Sequence, residues 1–223
     1  MNGKTVRIGS ILDDISNQKH EIIQTARLFV NLSPEEFKML FLATANKELA
    51  KKNIKKEFLI NESNKELINQ LYYYMVGSDK FVGDLYKGIL VVGTLGTGKT
   101  LIMKSFCLVW NKLFKRQISM YTSRDVAFHV IEDKPKTRDN YNYIKGLIYI
   151  DDIGKEPLKV MEYGTEICPL NVLLSLRYDN NNITFGTTNY KSDTMSQIYG
   201  DTIVDRMREM FNFIKLNGKS LRQ

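Results

Sequence analysis

The amino-acid sequence predicts an α/β fold with a mainly parallel sheet, and three observations lead to this prediction. Four or five short apolar segments alternate with segments of helical periodicity, which is typical of parallel strands joined by helices. A glycine-rich segment, residues 93–98, lies directly between one of these strands and a helix. Another strand ends in two consecutive acids, Asp151 and Asp152. Since ligands bind at the carboxyl edge of such sheets, we expect these polar groups to meet there.

The composition is that of one sizeable water-soluble domain. The chain has 223 residues, of which 43% are hydrophobic and 26% are charged, values that are ordinary for a globular protein. No apolar stretch approaches the roughly 20 residues that cross a bilayer, and the first residues lack the apolar core of a signal peptide. We therefore expect a cytoplasmic protein that does not enter a membrane.

The charge and the cysteines restrict the partners and the kinds of site. The formal net charge of +7 is compatible with a polyanionic partner but is also common among soluble proteins. Cys107 and Cys168 lie far apart in apolar surroundings, and we expect reduced core residues instead of a disulfide or a zinc site. Two histidines, His20 and His129, are too few for a histidine-rich metal site.

Three helices are predicted ahead of the glycine-rich segment. A weak apolar pattern indicates a short helix over residues 8–15. Residues 33–36 combine an N-cap, a proline in the first turn and a capping-box glutamate, so a helix should begin there and run to about Lys52. Residues 63–66 have the pattern of a second capping box, which opens a helix that ends near Gly77.

A cluster of lysines accompanies the end of the helix that begins near residue 34. Positive charges at this density favour either a solvated face or a docking surface for a partner or a nucleic-acid backbone, and the sequence leaves both open. The cluster consists of Lys47, Lys51, Lys52, Lys55 and Lys56.

The glycine-rich segment has the composition and the context of a phosphate-binding loop. An apolar strand over residues 88–92 precedes it and an apolar helix follows it, as such a loop requires. Its glycines let backbone N–H groups turn inward around phosphate oxygens, and the helix N-terminus adds donors. Lys99 would reach the β- and γ-phosphates, and Thr100 would hold Mg²⁺. The predicted nucleotide-binding residues are Gly93, Thr94, Leu95, Gly96, Thr97, Gly98, Lys99, Thr100 and Leu101.

The sequence alone leaves two questions about the nucleotide site open. A glycine-rich turn with an accidental lysine is the simpler alternative to a phosphate-binding loop. The helix predicted after residue 63 either closes the base side of the nucleotide site or packs in the core.

Acidic and amide side chains end two further strands. The strand over residues 146–152 ends in Asp151, which would hold the Mg²⁺ shell opposite Thr100. The next residue, Asp152, would orient or deprotonate the attacking water. Asn189 follows a strand over residues 183–188 and would position that water or the γ-phosphate. In a plainer interpretation the acids belong to an ordinary turn, and the asparagine caps the end of its strand.

The remaining segments complete the alternation of strands and helices. Residues 132–142 are polar and rich in basic side chains, and we expect an exposed loop there. Further strands are predicted over residues 117–121 and 211–216, and further helices over residues 122–131, 169–178, 192–200 and 202–210.

Four motifs in a fixed order make the chain similar to the AAA+ ATPases. They are the phosphate-binding loop, the acidic strand, the strand before Asn189 and the helix with Asp205-Arg206-Met207-Arg208. More narrowly, the chain resembles the DnaC and IstB type, which are helicase loaders of DNA replication and helper ATPases of transposition. The similarity covers about residues 61–222 and is most specific over residues 199–208 and 218–222. It implies a P-loop NTPase fold, a three-layer sandwich with a mainly parallel five-stranded sheet.

The resemblance also implies a division of the chain and a set of partners. Residues 61–223 would form the ATPase core, and residues 1–60 would form a helical segment that docks a partner. The cofactors would be ATP and Mg²⁺, and the chain would self-associate in an ATP-dependent ring or spiral. Its other partners would be single-stranded DNA and a replicative helicase or a transposase, and no membrane is implied.

The arginine finger that the family uses would be Arg206. This side chain would enter the ATP site of a neighbouring subunit and neutralise charge on the γ-phosphate. In the alternative, the charges of this helix form only a surface salt bridge between Asp205 and Arg208 or Glu209. The catalytic residues that the resemblance implies are Lys99, Asp152, Asn189 and Arg206.

The chain departs from the family pattern at two points. The family usually has glutamate where this chain has Asp152, so water activation would be weaker or hydrolysis slow. The sequence also stops soon after the last predicted strand, so we expect the helical lid and sensor arginine of larger AAA+ proteins to be missing, and the role of Arg222 is open.

Three competing functions stay open: a small-molecule kinase, a GTPase, and a module that uses ATP only as a structural ligand. A kinase would need an arginine cluster after the acids, and a GTPase would need an Asn-Lys-x-Asp motif after the loop. This chain has neither.

Overall fold

The computed structural model describes residues 29–132, 145–162 and 165–218. Its helices are α1 (Pro34–Ala50), α2 (Lys65–Val76), α3 (Lys99–Leu113), α4 (Ser123–Glu132), α5 (Pro169–Asp179), α6 (Ser192–Tyr199) and α7 (Asp201–Met210). Its strands are β1 (Gly88–Gly93), β2 (Ile118–Thr122), β3 (Leu147–Ile153), β4 (Val160–Glu162), β5 (Thr165–Ile167), β6 (Thr184–Thr188) and β7 (Phe211–Leu216). The helix predicted over residues 8–15, most of the basic loop over residues 132–142, and the tail with Arg222 lie outside the described residues.

Five strands form one sheet in the order β2-β3-β6-β1-β7, and every neighbouring pair is parallel. The prediction of a mainly parallel five-stranded α/β sheet is therefore confirmed. A short antiparallel hairpin of β4 and β5 lies outside this sheet and was not predicted. Its three-residue strands are too short to show an alternating pattern in the sequence.

Helices cover both faces of the sheet and give three layers. Consecutive residues of a strand point to opposite faces, so Ile89 and Val91 of β1 pack with α1, α2 and α3, whereas Leu90 packs with α5, α6 and α7. Both faces of the central strands are buried, which explains why these strands read as continuous apolar runs.

Helix α1 is joined to the P-loop side of the molecule by its core face and by a buried carboxylate. The predicted capping box is present, because the Ser33 backbone N–H donates to Glu36 at 2.8 Å and the Glu36 N–H donates to the Ser33 hydroxyl. Glu48 is 3% exposed and accepts from Lys104 of α3 at 2.8 Å. Burial raises the pKa of Glu48, but hydrogen bonds from Lys104 and Lys51 outweigh burial and leave this pKa below its ordinary value. The ion pair therefore persists at neutral pH.

The start of α2 and one cysteine differ from the sequence prediction. The N-cap of α2 is Asn64 and not Ser63, and the Asn64 side chain makes no capping bond. Instead its amide donates to the Leu59 carbonyl at 3.0 Å and its oxygen accepts from the Asn61 N–H, which fixes the preceding loop. The helix does end at Gly77 in the left-handed conformation. Both cysteines are free, but Cys168 is only half-buried, whereas the predicted core position holds for Cys107.

A buried arginine ties the amino ends of two central strands together. Arg177 of α5 is 0% exposed and donates to the Thr184 hydroxyl at 2.7 Å and to the carbonyls of Gly146 at 2.9 Å and Ile183 at 2.7 Å. Those carbonyls immediately precede β3 and β6. The guanidinium therefore satisfies a buried hydroxyl and two half-buried carbonyls.

Replacing Arg177 by methionine is expected to lower the free energy of unfolding by about 3–5 kcal/mol, because the variant leaves the buried Thr184 hydroxyl and the two half-buried carbonyls without the donors of the guanidinium. Urea unfolding followed by circular dichroism measures this loss. Lys115→Met, at an exposed position, is the control and should change stability by less than about 0.5 kcal/mol. An unchanged urea midpoint for the Arg177 variant would contradict the proposed contribution of this side chain to stability.

Candidate nucleotide site

The predicted site residues meet at the carboxyl edge of the sheet, where β1, β3 and β6 end side by side. A cavity of about 450 Å³ opens there. Lys99, Thr100, Asp152 and Asn189 all line it, although they come from three different parts of the chain. The full lining is Leu49, Lys52, Ile54, Lys56, Glu57, Phe58, Leu59, Asn61, Leu95, Gly96, Gly98, Lys99, Thr100, Leu101, Asp152, Lys155 and Asn189.

The glycine-rich segment forms a tight loop between β1 and α3. Gly96 and Gly98 have φ angles of +85° and +92°, which residues with a Cβ rarely adopt. Inside the loop, the Thr97 hydroxyl donates to the Thr94 carbonyl at 2.9 Å, while Leu95 at the tip is 59% exposed. The first residues of α3, Lys99, Thr100 and Leu101, line the cavity, and the N–H groups of a first helical turn have no acceptors in their own helix, as an anion site requires.

The Lys99 ammonium lies inside this loop. Lys99 is 5% exposed, and its Nζ donates to the Thr94 carbonyl at 2.8 Å and to the Asn189 side-chain oxygen at 2.7 Å. Both acceptors are neutral, so the positive charge of the lysine is not neutralised by them. A phosphate that entered the loop would offer this ammonium charged acceptors, which make stronger hydrogen bonds.

One carboxylate oxygen of Asp151 accepts hydrogen bonds from three hydroxyl groups. Its Oδ1 accepts from Thr100 at 3.0 Å, from Thr187 at 2.6 Å and from Tyr149 at 2.6 Å. Burial, together with the negative charge of Asp151, raises the pKa of Tyr149 well above its ordinary value, so the phenol remains a neutral donor. The Thr100 hydroxyl and the Asp151 carboxylate, the two predicted Mg²⁺ ligands, are thus in direct contact.

Asp152 lies in a β-bulge of β3. Between Ile150 and Ile153 the strand β3 has one residue more than the facing stretch of β6, and Asp152 adopts the left-handed conformation with φ +58°. Consecutive side chains of a regular strand point to opposite faces, whereas a bulge changes the direction of a side chain. The bulge explains why Asp152 lines the cavity although Asp151, one residue earlier, contacts Thr100.

The Asp152 carboxylate is already paired. Its Oδ2 lies 2.7 Å from the Lys155 ammonium, and both side chains are about one third exposed. The backbone N–H of Asp152 donates to the Thr187 hydroxyl at 2.9 Å, and that hydroxyl in turn donates to Asp151. A single threonine of β6 therefore sets the relative position of the two acids.

The far wall of the cavity comes from the loop between α1 and α2. Ile54 and Leu59 line this wall and are 44% and 67% exposed, while Phe58 beside them is buried and its N–H donates to the Asn46 side chain at 2.7 Å. No residue of α2 lines the cavity, so among the described residues α2 packs in the core and does not close the base side. Of the basic cluster, Lys52 and Lys56 reach the cavity.

Arg206 does not line the cavity of its own chain. Its guanidinium lies 5.1 Å from the centre of the Tyr178 ring. Arg208 pairs with Asp205 at 3.6 Å on the surface of α7, and the Tyr178 hydroxyl donates to Glu209 at 2.7 Å. The surface salt bridge considered for this helix therefore exists, but it involves Arg208 and leaves Arg206 in a different contact.

Four residues of this region were not predicted from the sequence. Tyr149 stands two residues before Asp151 in one strand, so the period of two could have placed both on one face. Lys155 follows Asp152 by three residues, but only the bulged turn brings the two together. Thr187 on β6 and Leu59 in the loop before α2 reach the site through tertiary packing, for which no sequence signal exists.

Comparison with known proteins gives a clear result at the level of structure only. No protein-family model and no curated protein sequence matches the chain. A crystal structure of the DnaC helicase loader is similar, with a TM-score of 0.56 and 19% identity over 73% of this chain and 94% of that chain. AMPPCP-bound DnaA from Aquifex aeolicus gives 0.52 and 18% identity over 71% of this chain and 48% of the other. The replication initiator DnaA bound to AMPPCP and single-stranded DNA gives 0.51 and 16%, over 73% and 49%.

These likenesses confirm the predicted fold, since the chain shares it with the DnaC and DnaA structures. In the two DnaA structures the chain spans about half the length of the protein it matches. Within the described ranges, no helix combines the length and the apolar character that a membrane span needs.

Proposed function

We propose that this chain is a replication ATPase that, like a DnaC-type loader, binds ATP, grips single-stranded DNA and delivers a replicative helicase to it. The observation that carries the proposal is that the phosphate-binding loop, Thr100, Asp152 and Asn189 line one cavity and that Asp151 contacts Thr100. The fold shared with a protein described as a helicase loader supports the choice of pathway.

The triphosphate is held by the loop and by Lys99. Backbone N–H groups of residues 94–100 and the N-terminus of α3 provide donors and partial positive charge. Lys99 exchanges its neutral acceptors, the Thr94 carbonyl and the Asn189 side chain, for phosphate oxygens. Asn189 is thereby released next to the γ-phosphate, where its amide can position the attacking water.

The residues for a magnesium ion are Thr100 and Asp151. A hydroxyl and a carboxylate are hard oxygen ligands of the kind that Mg²⁺ prefers, and their contact at 3.0 Å places both within reach of one ion. When bound, the ion neutralises charge on the phosphate oxygens. Tyr149 and Thr187 contribute by holding one Asp151 oxygen in place.

The base is assigned to the apolar wall of the cavity. Ile54 and Leu59 expose apolar surface there, and the neighbouring Phe58 is fixed by the core. Aromatic bases bind in pockets that are mostly apolar with few polar groups. Part of residues 1–60, which the sequence assigned to partner docking, then also belongs to the nucleotide site.

A double variant with Ile54→Ser and Leu59→Ser is expected to raise the Kd for ATP about tenfold, because each loses apolar contact with the base. Titration with a fluorescent ATP analogue measures it. Met39→Ser is the control, since Met39 is 71% exposed on α1 and does not line the cavity. Equal affinities for the double variant and the parent would place the base elsewhere.

Partners are assigned by charge and by position. The net charge of +7 and the lysine cluster, of which Lys52 and Lys56 line the cavity, favour a phosphate backbone, and a DnaA of the same fold is described bound to single-stranded DNA. Residues 1–60 are proposed to bind the helicase. ATP between subunits, contacted by Arg206 of a neighbouring copy, would drive self-association into a ring or spiral.

A module that binds ATP without hydrolysing it is the second candidate. The ion pair between Asp152 and Lys155 favours it, because the carboxylate oxygen that contacts the ammonium is already engaged in a charge-assisted hydrogen bond and is less available to a water molecule. Asp152 is also one methylene shorter than the glutamate that the AAA+ resemblance leads one to expect.

Single-turnover hydrolysis of ATP, measured with and without single-stranded DNA, tests the proposal. We expect hydrolysis that DNA stimulates and that disappears in Arg206→Ala. Retention of ATP·Mg²⁺ without hydrolysis at any protein concentration would select the second candidate. Failure to retain ATP at all would reject both. Capture of a purified replicative helicase by the full chain, with loss of capture when residues 1–28 are deleted, tests the docking role separately.

A further inference from the structure

The side chain of Arg206 is held by an aromatic ring and not by an acid. Its guanidinium carbon lies 5.1 Å from the Tyr178 ring centre. Two acids stand near it on α7, but each is engaged otherwise: Asp205 pairs with Arg208 at 3.6 Å, and Glu209 accepts from the Tyr178 hydroxyl at 2.7 Å. Among the described residues, no carboxylate lies within ion-pair distance of Arg206.

This kind of contact holds a cation without neutralising it. The ring face attracts the guanidinium through its quadrupole, while the N–H donors lie in the guanidinium plane and stay available for another acceptor. A salt bridge would have to break before the same side chain could bind a phosphate, which is costly when the partner carboxylate is left unpaired. Tyr178 therefore orients Arg206 and leaves its charge and donors free.

The tyrosine is itself fixed to the helix that carries the arginine. Tyr178 belongs to α5, whereas Arg206 and Glu209 stand three residues apart on α7 and thus on one face. The hydrogen bond to Glu209 raises the pKa of the Tyr178 hydroxyl. A phenol that donates to a carboxylate has a more electron-rich ring, which strengthens its attraction for a cation.

We propose that Tyr178 is a positioning residue that presents Arg206 to the nucleotide site of a neighbouring copy of this chain. The inference rests on the proposed function, in which Arg206 acts on ATP bound by another subunit. It adds that the orientation of Arg206 is set within its own chain, before the subunits meet, by the ring of Tyr178 and its bond to Glu209.

A mixing experiment tests the proposal because it separates the chain that supplies the arginine from the chain that hydrolyses ATP. The first chain is D152N, which keeps Arg206 but lacks the proposed base. The second is R206A, which keeps its nucleotide site but lacks the arginine. Each alone should be nearly inactive, and the mixture should hydrolyse ATP at interfaces where a D152N chain faces an R206A chain.

The substitution Tyr178→Leu is then placed in one chain at a time. In the D152N chain it should lower the activity of the mixture about fivefold, the size of a partly exposed cation–π contact. In the R206A chain it should leave the activity unchanged, since that chain supplies no arginine. Tyr178→Phe in the D152N chain keeps the ring but loses the bond to Glu209, and should fall between the two. Tyr86→Leu, at another half-exposed tyrosine, is the matched control and should have no effect in either chain.

A fall of equal size in both placements would show a general structural role for Tyr178 and would overturn the inference, as would no fall in either. If the mixture of D152N and R206A gains no activity with Tyr178 intact, Arg206 does not act in the site of a neighbouring subunit. This result contradicts the proposed function as well as the inference, and it differs from the results that contradict the inference alone.

Sedimentation of the mixture with a non-hydrolysable ATP analogue gives a second readout. Tyr178→Leu should leave the size of the assembly unchanged, and dissociation of the assembly would contradict a pure positioning role.

Discussion

Replacing Lys99 by alanine is expected to abolish ATP hydrolysis and to weaken ATP binding about 100-fold. The Lys99 ammonium is 5% exposed and donates to two neutral acceptors, the Thr94 carbonyl and the Asn189 side chain. A hydrogen bond between charged groups contributes roughly 1.5–3 kcal/mol, and about 2.7 kcal/mol corresponds to 100-fold in Kd. Among the described residues, no other lysine lies inside the phosphate-binding loop.

Thermal unfolding with increasing ATP·Mg²⁺ measures this loss without depending on catalysis. At 100 times its Kd, a ligand that binds only the folded state stabilises it by about 2.7 kcal/mol, so the parent protein should show a clear rise in Tm. The Lys99→Ala variant should show almost none at the same concentration. Lys112→Ala, at an exposed position near the other end of α3, should respond like the parent. An undiminished rise in Tm for Lys99→Ala would mean that the triphosphate is not bound by this loop.

The phosphate-binding loop could be predicted because every requirement for it is local. A strand, a run of glycines, a lysine and a helix follow one another within about 20 residues, and Gly96 and Gly98 indeed adopt the conformation that only glycine tolerates easily. The parallel sheet could be predicted for a related reason, since each strand carries its own apolar pattern and parallel strands bring their carboxyl ends to one edge. The location of Asp151 and Asn189 at this edge could therefore be predicted without knowing the strand order.

The bulge at Asp152 could not be predicted from local pattern. A regular strand would turn Asp151 and Asp152 to opposite faces of the sheet, and only the extra residue of β3 relative to β6 lets Asp152 line the cavity while Asp151 contacts Thr100 beside it. The left-handed backbone of Asp152 is a conformation that aspartate adopts more readily than most side chains. The bulge thus suggests one physical reason for aspartate where the AAA+ resemblance implies glutamate.

The wall of the cavity shows a second limit of sequence reasoning. The loop between α1 and α2 has no motif, and its lysines were interpreted as a solvated face or a docking surface. Its position next to the P-loop depends on α1, which is anchored by Phe37 and Phe41 in the core and by the contact of Glu48 with Lys104. The contact of Glu48 with Lys104 joins residues more than 50 positions apart in the chain, and no periodicity within either segment reveals it.

Replacing Arg206 by alanine is expected to lower the rate of ATP hydrolysis about 10³-fold or more, the usual contribution of an arginine supplied to a neighbouring site. Binding of ATP to the isolated chain should be unchanged, because Arg206 does not line the cavity of its own chain. The parent should therefore hydrolyse ATP at a rate per chain that rises with protein concentration as subunits associate, whereas the variant should remain slow at every concentration.

The neighbouring Arg208→Ala is the control that separates this role from the general charge of α7. Arg208 forms an exposed ion pair with Asp205, and such pairs contribute less than about 1 kcal/mol, so this variant should keep most of the activity. Steady-state hydrolysis across a hundredfold range of protein concentration distinguishes the cases. A rate per chain that is independent of concentration and equally reduced in both variants would mean that the helix acts only through stability. A concentration-dependent rate that only Arg206→Ala removes is the result that requires one copy of this chain to complete the site of the next.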